Sequence, residues 1–419
     1  MLNRKMLREI RHNFGQFFSV LLLSFMAVML YAGLESNVVG GNQAREAFHE
    51  TTNLADGWMY GEGFTEENLE SVRELDFIEE AQLRMSVTGS APKQNGAQID
   101  IYLEAENLVI KPYTAKGADF EPENKKGIWL SETFAKAWDI QVGDQFTFQY
   151  NGISITKPVL GTIYTPEYEY TVADKDADTD FKNIGYVYMA YEAFPMREYV
   201  EHLIKKGTIS AKMLVEETHF LDESVEQLEE YGMGVHDLTQ DMLLESVAKI
   251  SDDDLFQMLP STELIFTCEN SEKVMDYEKK IAEAIDNNYA VMIDKTSITG
   301  IQVLTAELEQ HNAFSIVFAV VFVLIALLVI ATTMSRMVEQ QRTQIGTLNA
   351  LGLKRGKIMM HYIGFSFVIS LIGAILGFVL GITLIGQAMV DMFANWYVIP
   401  EWKAGYDSSF LVVVLLPVA

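Results

Sequence analysis

The sequence predicts an α-helical membrane protein that carries a large mixed α+β extracytoplasmic domain. Of the 419 residues, 49% are hydrophobic although 21% are charged. Charged residues avoid four stretches, which are residues 14–34, 313–335, 362–390 and 410–419. A helix needs about 20 apolar residues to cross a bilayer, so the first three stretches predict full transmembrane helices. The fourth is shorter and predicts the start of a fourth helix, either unfinished or continued in a longer protein.

Basic residues beside the apolar stretches predict the orientation of the chain. Residues 1–13 and residues 336–361 are short, and each holds several Lys and Arg against a single Glu. Loops of this composition stay on the cytoplasmic side of a membrane. The N-terminus and the loop 336–361 are therefore predicted to be cytoplasmic, whereas residues 35–312 and the loop 391–409 lie outside. The outer residues are strongly acidic, and a soluble protein with buried apolar helices would not explain this segregation of charge.

The first two segments each have a second interpretation. Residues 1–13 place apolar residues on one helical face and cations on the other, which predicts either an amphipathic helix on the inner leaflet or a simple basic flank. The stretch 14–34 also fits a cleavable signal peptide, because two small residues, Ala32 and Gly33, lie near its end. Its apolar run is longer than the ~7–15 residues of a signal peptide. We therefore favour a transmembrane helix.

The outer residues show the patterns of a mixed α+β domain. Asn151-Gly152 is a strong hairpin signal with an alternating strand on either side. Helical patterns are predicted over Glu66–Leu75, Asp222–Glu230 and Glu272–Asn287. Ile301, Leu304 and Leu308 then repeat at helical spacing without a helix breaker. The sequence therefore predicts a stalk, which is one helix that continues from the outer domain into the second transmembrane helix.

Several kinds of chemical site are disfavoured. The single cysteine, Cys268, excludes an intramolecular disulfide, and the histidines lack the spacing of a zinc site. The run Asp174–Asp180 resembles the start of a calcium loop, but Thr179 stands where that loop needs glycine and Gly185 where it needs glutamate. An acidic surface loop is the simpler interpretation. The wider acidic surface fits either solubility or attraction of cationic ligands. We predict no catalytic residue, metal or cofactor in this chain.

Residues 337–355 resemble the cytoplasmic signature of FtsX-like permeases. The common form of that signature is a charged run followed by I-G-x-L-(basic)-A-(apolar)-G. The matching positions are Ile345, Gly346, Leu348, Ala350, Leu351 and Gly352. Gln344 stands where a Glu is usual, and Asn349 stands where Lys or Arg is usual. An ion pair that these positions make in relatives is therefore not expected here.

The resemblance extends over nearly the whole chain. One span, a large outer domain and further spans with this loop between the second and third follow the segment order of the family. Within residues 35–312, three segments resemble the MacB-type core domain, namely Ile128–Ser131, Val142–Asp144 and Val159–Gly161. The chain is therefore similar to FtsX-like and MacB-like permeases of ABC transporters.

The resemblance implies that the loop 336–361 forms a coupling helix that docks on a separate ATPase subunit. The residues implied in this contact are Arg342, Gln344, Ile345, Gly346, Leu348, Ala350, Leu351 and Gly352. The apolar members would share one helical face, and the Gly and Ala members would allow close approach to another surface. Alternatively, the helix packs on the membrane ends of its own chain. No G-x-x-x-x-G-K-[ST] phosphate loop occurs, so ATP would be bound by the partner subunit.

The third apolar stretch holds a strip of small residues. Gly373, Gly377 and Gly381 recur every four residues and predict a surface for helix packing. Either a helix of the same chain or a second permease copy or half can use this strip. No charged residue lies inside a predicted span, so a buried ion or proton pathway has no candidate.

We expect a multi-pass protein of the cell membrane, plasma or inner, whose partners are an ABC ATPase subunit, a second permease copy or half, and membrane lipids, with no nucleic acid. The leading hypothesis is mechanotransmission. ATP hydrolysed by the partner would reshape the outer domain for export or release of an amphiphile, peptide or lipid-linked substrate. One alternative is an FtsX-like regulator that activates a cell-wall hydrolase or senses antimicrobial peptides without moving cargo. Another is a membrane-anchored binding module without a motor.

Overall fold

The computed structural model describes residues 14–171, 180–208, 238–251, 255–256, 261–350, 355–407 and 410. The chain divides into two compact units, of which the first holds residues 1–47 and 303–419 and the second residues 48–302. Four predicted features lie outside the described residues, namely the arm 1–13, most of the acidic run at 174–179, the helix at 222–230 and the fourth span beyond Phe410.

Helices occur in both units. In chain order, the α-helices of the described residues are α1 (Phe14–Thr52), α2 (Glu66–Arg73), α3 (Glu132–Ala137), α4 (Met196–Lys206), α5 (Gln240–Val247), α6 (Val274–Ala284), α7 (Thr299–Gln340), α8 (Arg342–Ala350), α9 (Arg355–Leu380) and α10 (Gln387–Phe393). A π-helix, Gly381–Gly386, joins α9 to α10. Two helices, α1 and α7, belong to both units, because each crosses the boundary in sequence.

Within the described part of the chain, three helices are long and apolar enough to cross a membrane. They are α1, α7 and the continuous helical stretch Phe367–Phe393. The three full spans predicted from the sequence agree with these helices. Both α1 and α7 extend beyond the charge-free stretches, since α1 continues to Thr52 and α7 begins at Thr299. The predicted stalk is thus present as the first part of α7.

The second unit is built on a mixed sheet, which has ten strands in the described residues. The strands are β1 (Gly57–Phe64), β2 (Ile78–Ala91), β3 (Ala97–Glu104), β4 (Tyr113–Gly117), β5 (Ile128–Ser131), β6 (Gln145–Tyr150), β7 (Ile153–Tyr164), β8 (Ile184–Ala190), β9 (Ser261–Cys268) and β10 (Val291–Asp294). Their order is β10-β1-β9-β2-β3-β8-β5-β7-β4, and β6 pairs with both β2 and β7. The β3–β8 and β5–β7 pairs are parallel. The prediction of a mixed α+β domain is confirmed.

Local sequence explains where several elements begin and end. Asn151 and Gly152 have φ angles of 44° and 95°, the left-handed conformation that a two-residue hairpin requires and that Asn and Gly tolerate. The predicted hairpin therefore joins β6 to β7. Helix α2 begins with a capping box, in which the backbone N–H of Asn68 donates to the Thr65 hydroxyl at 3.3 Å and the Thr65 N–H donates to the Asn68 side chain at 3.1 Å. This exchange satisfies two N–H groups that a helix start leaves without partners.

The two faces of the sheet differ in character. Side chains alternate between the faces along each strand. One face is apolar and packs against α3, α4 and α5 through residues such as Phe134, Tyr199 and Leu243. The opposite face is lined by large aromatic residues, among them Trp58 and Tyr188. Polar and charged groups are buried on this second face.

Arg84 of β2 lies buried on the aromatic face, with 1% of its surface exposed. Its Nε donates to Glu263 Oε2 at 2.7 Å, while Nη1 and Nη2 donate to the two oxygens of Glu167 at 2.8 and 2.7 Å. The Tyr102 ring lies 4.5 Å from the guanidinium carbon. Burial alone would lower the pKa of Arg84, but the carboxylates of Glu167 and Glu263 outweigh burial and raise that pKa well above its ordinary value. The guanidinium therefore stays charged.

This ion pair matters more for stability than a pair on the surface. An exposed pair such as Lys279 and Glu283, whose charged atoms are 3.8 Å apart, contributes about 0–1 kcal/mol. Removing one member of a buried pair costs about 3–5 kcal/mol, because the remaining charge stays buried without compensation. Arg84 thus ties β2 to β9 and to the residues that follow β7.

Glu104 lies on β3 directly opposite Arg84 in the register of the two strands. It is fully buried, and neither of its carboxyl oxygens has a hydrogen-bond partner of normal geometry within the described residues. Burial raises the pKa of Glu104 to about 8, and the attraction of Arg84 offsets this only in part. Glu104 is therefore largely protonated at neutral pH.

Stability should consequently depend on pH through Glu104. At pH values between 4.5, the ordinary pKa of Glu104, and about 8, the Glu104 carboxyl keeps its proton in the folded chain and releases it in the unfolded chain. The free energy of unfolding should fall as pH rises through this window, by up to about 1.4 kcal/mol per pH unit. The variant Glu104→Gln is neutral at every pH and should lose this slope. Thermal unfolding of the detergent-solubilised chain between about pH 5 and 8, followed by tryptophan fluorescence, measures the difference.

The matched control is Glu121→Gln, because Glu121 is exposed. This variant should keep the slope of the unaltered chain. Equal slopes for the unaltered chain and for Glu104→Gln would show that Glu104 is already ionised in the folded state.

Candidate functional site

Most of the residues implied in coupling lie on α8, which follows α7 after one residue, Gln341. Six of these residues belong to the helix, namely Arg342, Gln344, Ile345, Gly346, Leu348 and Ala350. Leu351 and Gly352 lie outside the described residues. A helix thus occupies the position at which the sequence predicts one, and its docking role stays a prediction.

One face of α8 is open. Arg342, Gly346 and Ala350 recur every four residues and are all exposed, so they share one side of the helix. Among the described residues, a methyl group placed on Gly346 would meet no atom within 4 Å outside its own helix. The neighbouring Ile345 is half-buried. The small residues leave the helix backbone accessible beside a guanidinium group, which is a surface that another helix or loop can approach closely.

The glycine strip of the third span packs against α1. Ideal Cβ atoms placed on Gly373, Gly377 and Gly381 would lie 2.5, 2.4 and 2.6 Å from backbone oxygens of α1. Those oxygens belong to Leu21, Phe25 and Met29, which also recur every four residues. The two backbones therefore touch at three points spread over about two helical turns, as small residues allow. Of the two uses left open by the sequence, the structure shows the contact within the chain.

Just beyond the first predicted span, α1 is held on several sides. The Ser315 hydroxyl of α7 donates to the carboxylate of Glu35. On the same turn of α1, the N–H of Gly405 donates to the Ser36 carbonyl at 2.8 Å, and the Trp402 indole N–H donates to the Asn37 carbonyl at 3.2 Å.

These three positions of α1, Glu35, Ser36 and Asn37, have at most 8% of their surface exposed. The charge-free stretch ends at Leu34, and its composition does not indicate that the next residue, Glu35, is buried. The sequence signal that could have indicated this burial is the position of Glu35 directly after the apolar stretch 14–34.

The three segments that resemble the MacB-type core domain lie together, two of them on strands β5 and β7 and the third directly before β6. Ile128 of β5 pairs with Val159 of β7. The N–H of Gly143 donates to the Val159 carbonyl at 2.8 Å, and the Val159 N–H donates to the Asp144 carbonyl at 2.9 Å. The Trp129 indole donates to the Ala118 carbonyl at 2.8 Å. Ile128, Trp129 and Val159 are buried in the core of the domain, whereas Val142–Asp144 is an exposed segment that is hydrogen-bonded to Val159.

No group suited to a metal ion occurs in the described ranges, where three or more His, Cys, Asp or Glu side chains never come together in that way. Cys268 is buried, and burial raises the pKa of its thiol to about 11. A thiol with this pKa is protonated at neutral pH and is a poor nucleophile.

Most of α7 and all of α8, α9 and α10 lie in a segment that matches a known protein family. Residues 316–419 match the FtsX-like permease C-terminal family. The FtsX-like segment thus contains both the open face of α8 and the glycine strip of the third span. A comparison of the sequence with curated proteins gives no match.

Two solved structures are similar to part of the chain. One is the extracellular domain of the noncanonic ABC-type transporter YknZ from Gram-positive bacteria, at 10% identity and a TM-score of 0.30, over 56% of this chain and 94% of that chain. Another is the periplasmic region of MacB from Actinobacillus actinomycetemcomitans, at 9% identity and a TM-score of 0.29, over 62% of this chain and 95% of that chain. TM-scores of this size do not establish a common fold. The fold of the second unit therefore rests on its own strands and helices.

The backbone contact in the FtsX-like segment makes a test of Gly377 possible. In Gly377→Ala the new methyl group would lie 2.4 Å from the Phe25 carbonyl oxygen, and a backbone atom cannot move aside cheaply. We expect a lower unfolding temperature for the detergent-solubilised chain. Gly364→Ala is the control on the same helix, since in the described ranges no atom lies within 4 Å of that position. It should be neutral or stabilising, because Ala favours a helix over Gly by about 1 kcal/mol. Equal unfolding temperatures for the two variants would contradict the contact.

Proposed function

We propose that the chain is the membrane-embedded permease subunit of an ABC transporter complex. The match of residues 316–419 to the FtsX-like permease family supports this assignment. In this proposal the chain is not an enzyme and holds no cofactor, because a separate ATPase subunit binds and hydrolyses ATP. The chain converts the ATP cycle into a change of shape outside the membrane.

The proposed orientation follows from the charges in the sequence. The basic segments 1–13 and 336–361 face the cytoplasm, and the acidic domain and the loop 391–409 lie outside. The open face of α8 is then available to a cytoplasmic ATPase. A second permease copy or half would complete the transporter in the plasma or inner membrane.

The structural observation that carries the proposal is that α7 and α8 follow each other almost without interruption. Helix α7 has 42 residues, which corresponds to about 60 Å at 1.5 Å per residue. This is about twice the ~30 Å of a bilayer's hydrocarbon core. Only Gln341 separates the end of α7 from α8. A displacement of α8 therefore displaces the end of α7 almost directly.

The mechanism we propose has three steps. ATP binding changes the surface that the ATPase presents to Arg342, Gly346 and Ala350. Helix α7 carries the resulting displacement across the membrane. The outer domain then changes shape and exports or releases an amphiphile, a peptide or a lipid-linked substrate. The same coupling without cargo movement would describe a transmembrane regulator.

A bulky residue on the open face of α8 should weaken the contact with the ATPase. Gly346→Leu places a side chain where no atom of the described part of the chain lies within 4 Å, so folding and membrane insertion should be unchanged. The ATPase rate of the complex, reconstituted with its ATPase subunit, should fall several-fold. Gly356→Leu is the matched control, because Gly356 has equally open surroundings and lies outside α8.

Two results would count against the docking role. One is a Gly346→Leu variant that recovers a fully active ATPase in a pull-down, in which case α8 packs on something else. The other is ATP hydrolysis by the purified chain alone, which would remove the need for a partner. Normal ATPase stimulation without transport of any amphiphile or peptide into vesicles would instead favour the regulator.

A further inference from the structure

The segment Thr165–Tyr170, which follows β7, contacts the ends of two long helices within the second unit. At the start of α7, an ideal Cβ on Gly300 would lie 2.7 Å from the Glu167 carbonyl oxygen and 3.2 Å from the Glu169 nitrogen. Any side chain at this position would collide with the backbone of the segment. Glycine thus allows the first turn of α7 to lie directly on it.

The last turns of α1 reach the same segment through a side chain. His49 Nε2 forms a hydrogen bond with Glu169 Oε1. Glu169 is fully buried, whereas the His49 side chain is 22% exposed. The end of α1 and the start of α7 therefore meet neighbouring residues of one short piece of chain.

The segment is also fixed to the sheet. The Glu167 carboxylate accepts two hydrogen bonds from Arg84, at 2.7 and 2.8 Å, and one from the Trp58 indole at 2.9 Å. The next residue, Tyr168, donates to Asp100 of β3 at 2.7 Å. Glu167 cannot move away from Arg84 alone, because the buried guanidinium would lose the carboxylate that neutralises its charge and would have no solvent in place of that carboxylate.

This connection differs from an ordinary surface loop. Thr165, Pro166 and Glu169 are buried, whereas loops normally run exposed and mobile over a protein surface. A buried, hydrogen-bonded segment moves with its neighbours or not at all. A shift of either helix end by about 1–2 Å, typical of packed helices in switching proteins, therefore displaces Glu167 and with it Arg84.

We propose that the Thr165–Tyr170 segment is the coupling element of the second unit. In this role it passes displacement of the ends of α1 and α7 to the sheet through the Glu167–Arg84 ion pair. This inference rests on the proposed permease function and names the residues through which the outer domain would respond. Gly300 and His49 act as positioning residues, because they work through the segment and touch no substrate. A purely structural role would change stability without separating ATP hydrolysis from movement of the domain.

The test measures ATP hydrolysis and domain movement in the same complex. The single cysteine, Cys268, is replaced by serine, and spin labels are attached through Lys93→Cys and Lys279→Cys, two exposed positions of the second unit. The labelled chain is reconstituted with its ATPase subunit. The distance between the two spin labels is measured without ATP and again with ATP, after the complex has been trapped during turnover.

The key variant is Gly300→Val, and Gln302→Val is its control, because Gln302 is exposed on the same turn of α7. For Gln302→Val we expect normal ATPase stimulation and an ATP-dependent change in the label distance. For Gly300→Val we expect the ATPase rate to stay above half that of the control while the distance change is lost. Gly300→Ala, a smaller insertion, serves where the valine variant does not fold.

The outcomes separate this inference from the proposed function. An unchanged distance response in both Gly300 variants would overturn the coupling role of the segment and leave the permease assignment intact. A parallel loss of ATPase stimulation and distance change would also contradict it, because a general structural defect lowers both. An absence of any ATP-dependent change in the Gln302→Val control would overturn mechanotransmission itself, and the inference with it.

Discussion

The second unit depends on one buried interaction, the guanidinium of Arg84 between the carboxylates of Glu167 and Glu263. A charge so far from water is tolerated only when it is paired and fully hydrogen-bonded. Because the three residues belong to β2, β9 and the segment after β7, none of these parts can separate without leaving an unpaired charge. The aromatic rings of Trp58 and Tyr102 enclose the pair, and protonated Glu104 beside it avoids adding a third negative charge at neutral pH.

The sequence predicted those features whose causes are local. Asn151-Gly152 specifies a hairpin through the conformations that these two residues tolerate, and the spacing of Ile301, Leu304 and Leu308 specifies a helix through its period. The Arg84 arrangement could not be predicted in this way. Its partners lie 83 and 179 residues away along the chain, and nothing in the local pattern marks Glu167 or Glu263 among the 58 acidic residues.

The candidate site shows the same division. The structure has a helix at Arg342–Ala350, within the loop where the resemblance implies one, and the glycines that recur every four residues lie against α1. Periodicity defines which residues share a face, but it does not say what lies opposite. The contact of that strip with α1, and the burial of Glu35 against Ser315, depend on the arrangement of helices that are distant in sequence.

The contact of Gly373, Gly377 and Gly381 with the backbone of α1 limits the number of independent moving parts in the membrane. Between most helices, a layer of side chains can deform and lets one helix tilt against the other. Here that layer is missing at three successive positions over about two helical turns, and a slide by one residue would drive a side chain into a carbonyl group. Helices α1 and α9 therefore move as a single body, so any rearrangement within the first unit has to be accommodated at their common boundary with other helices.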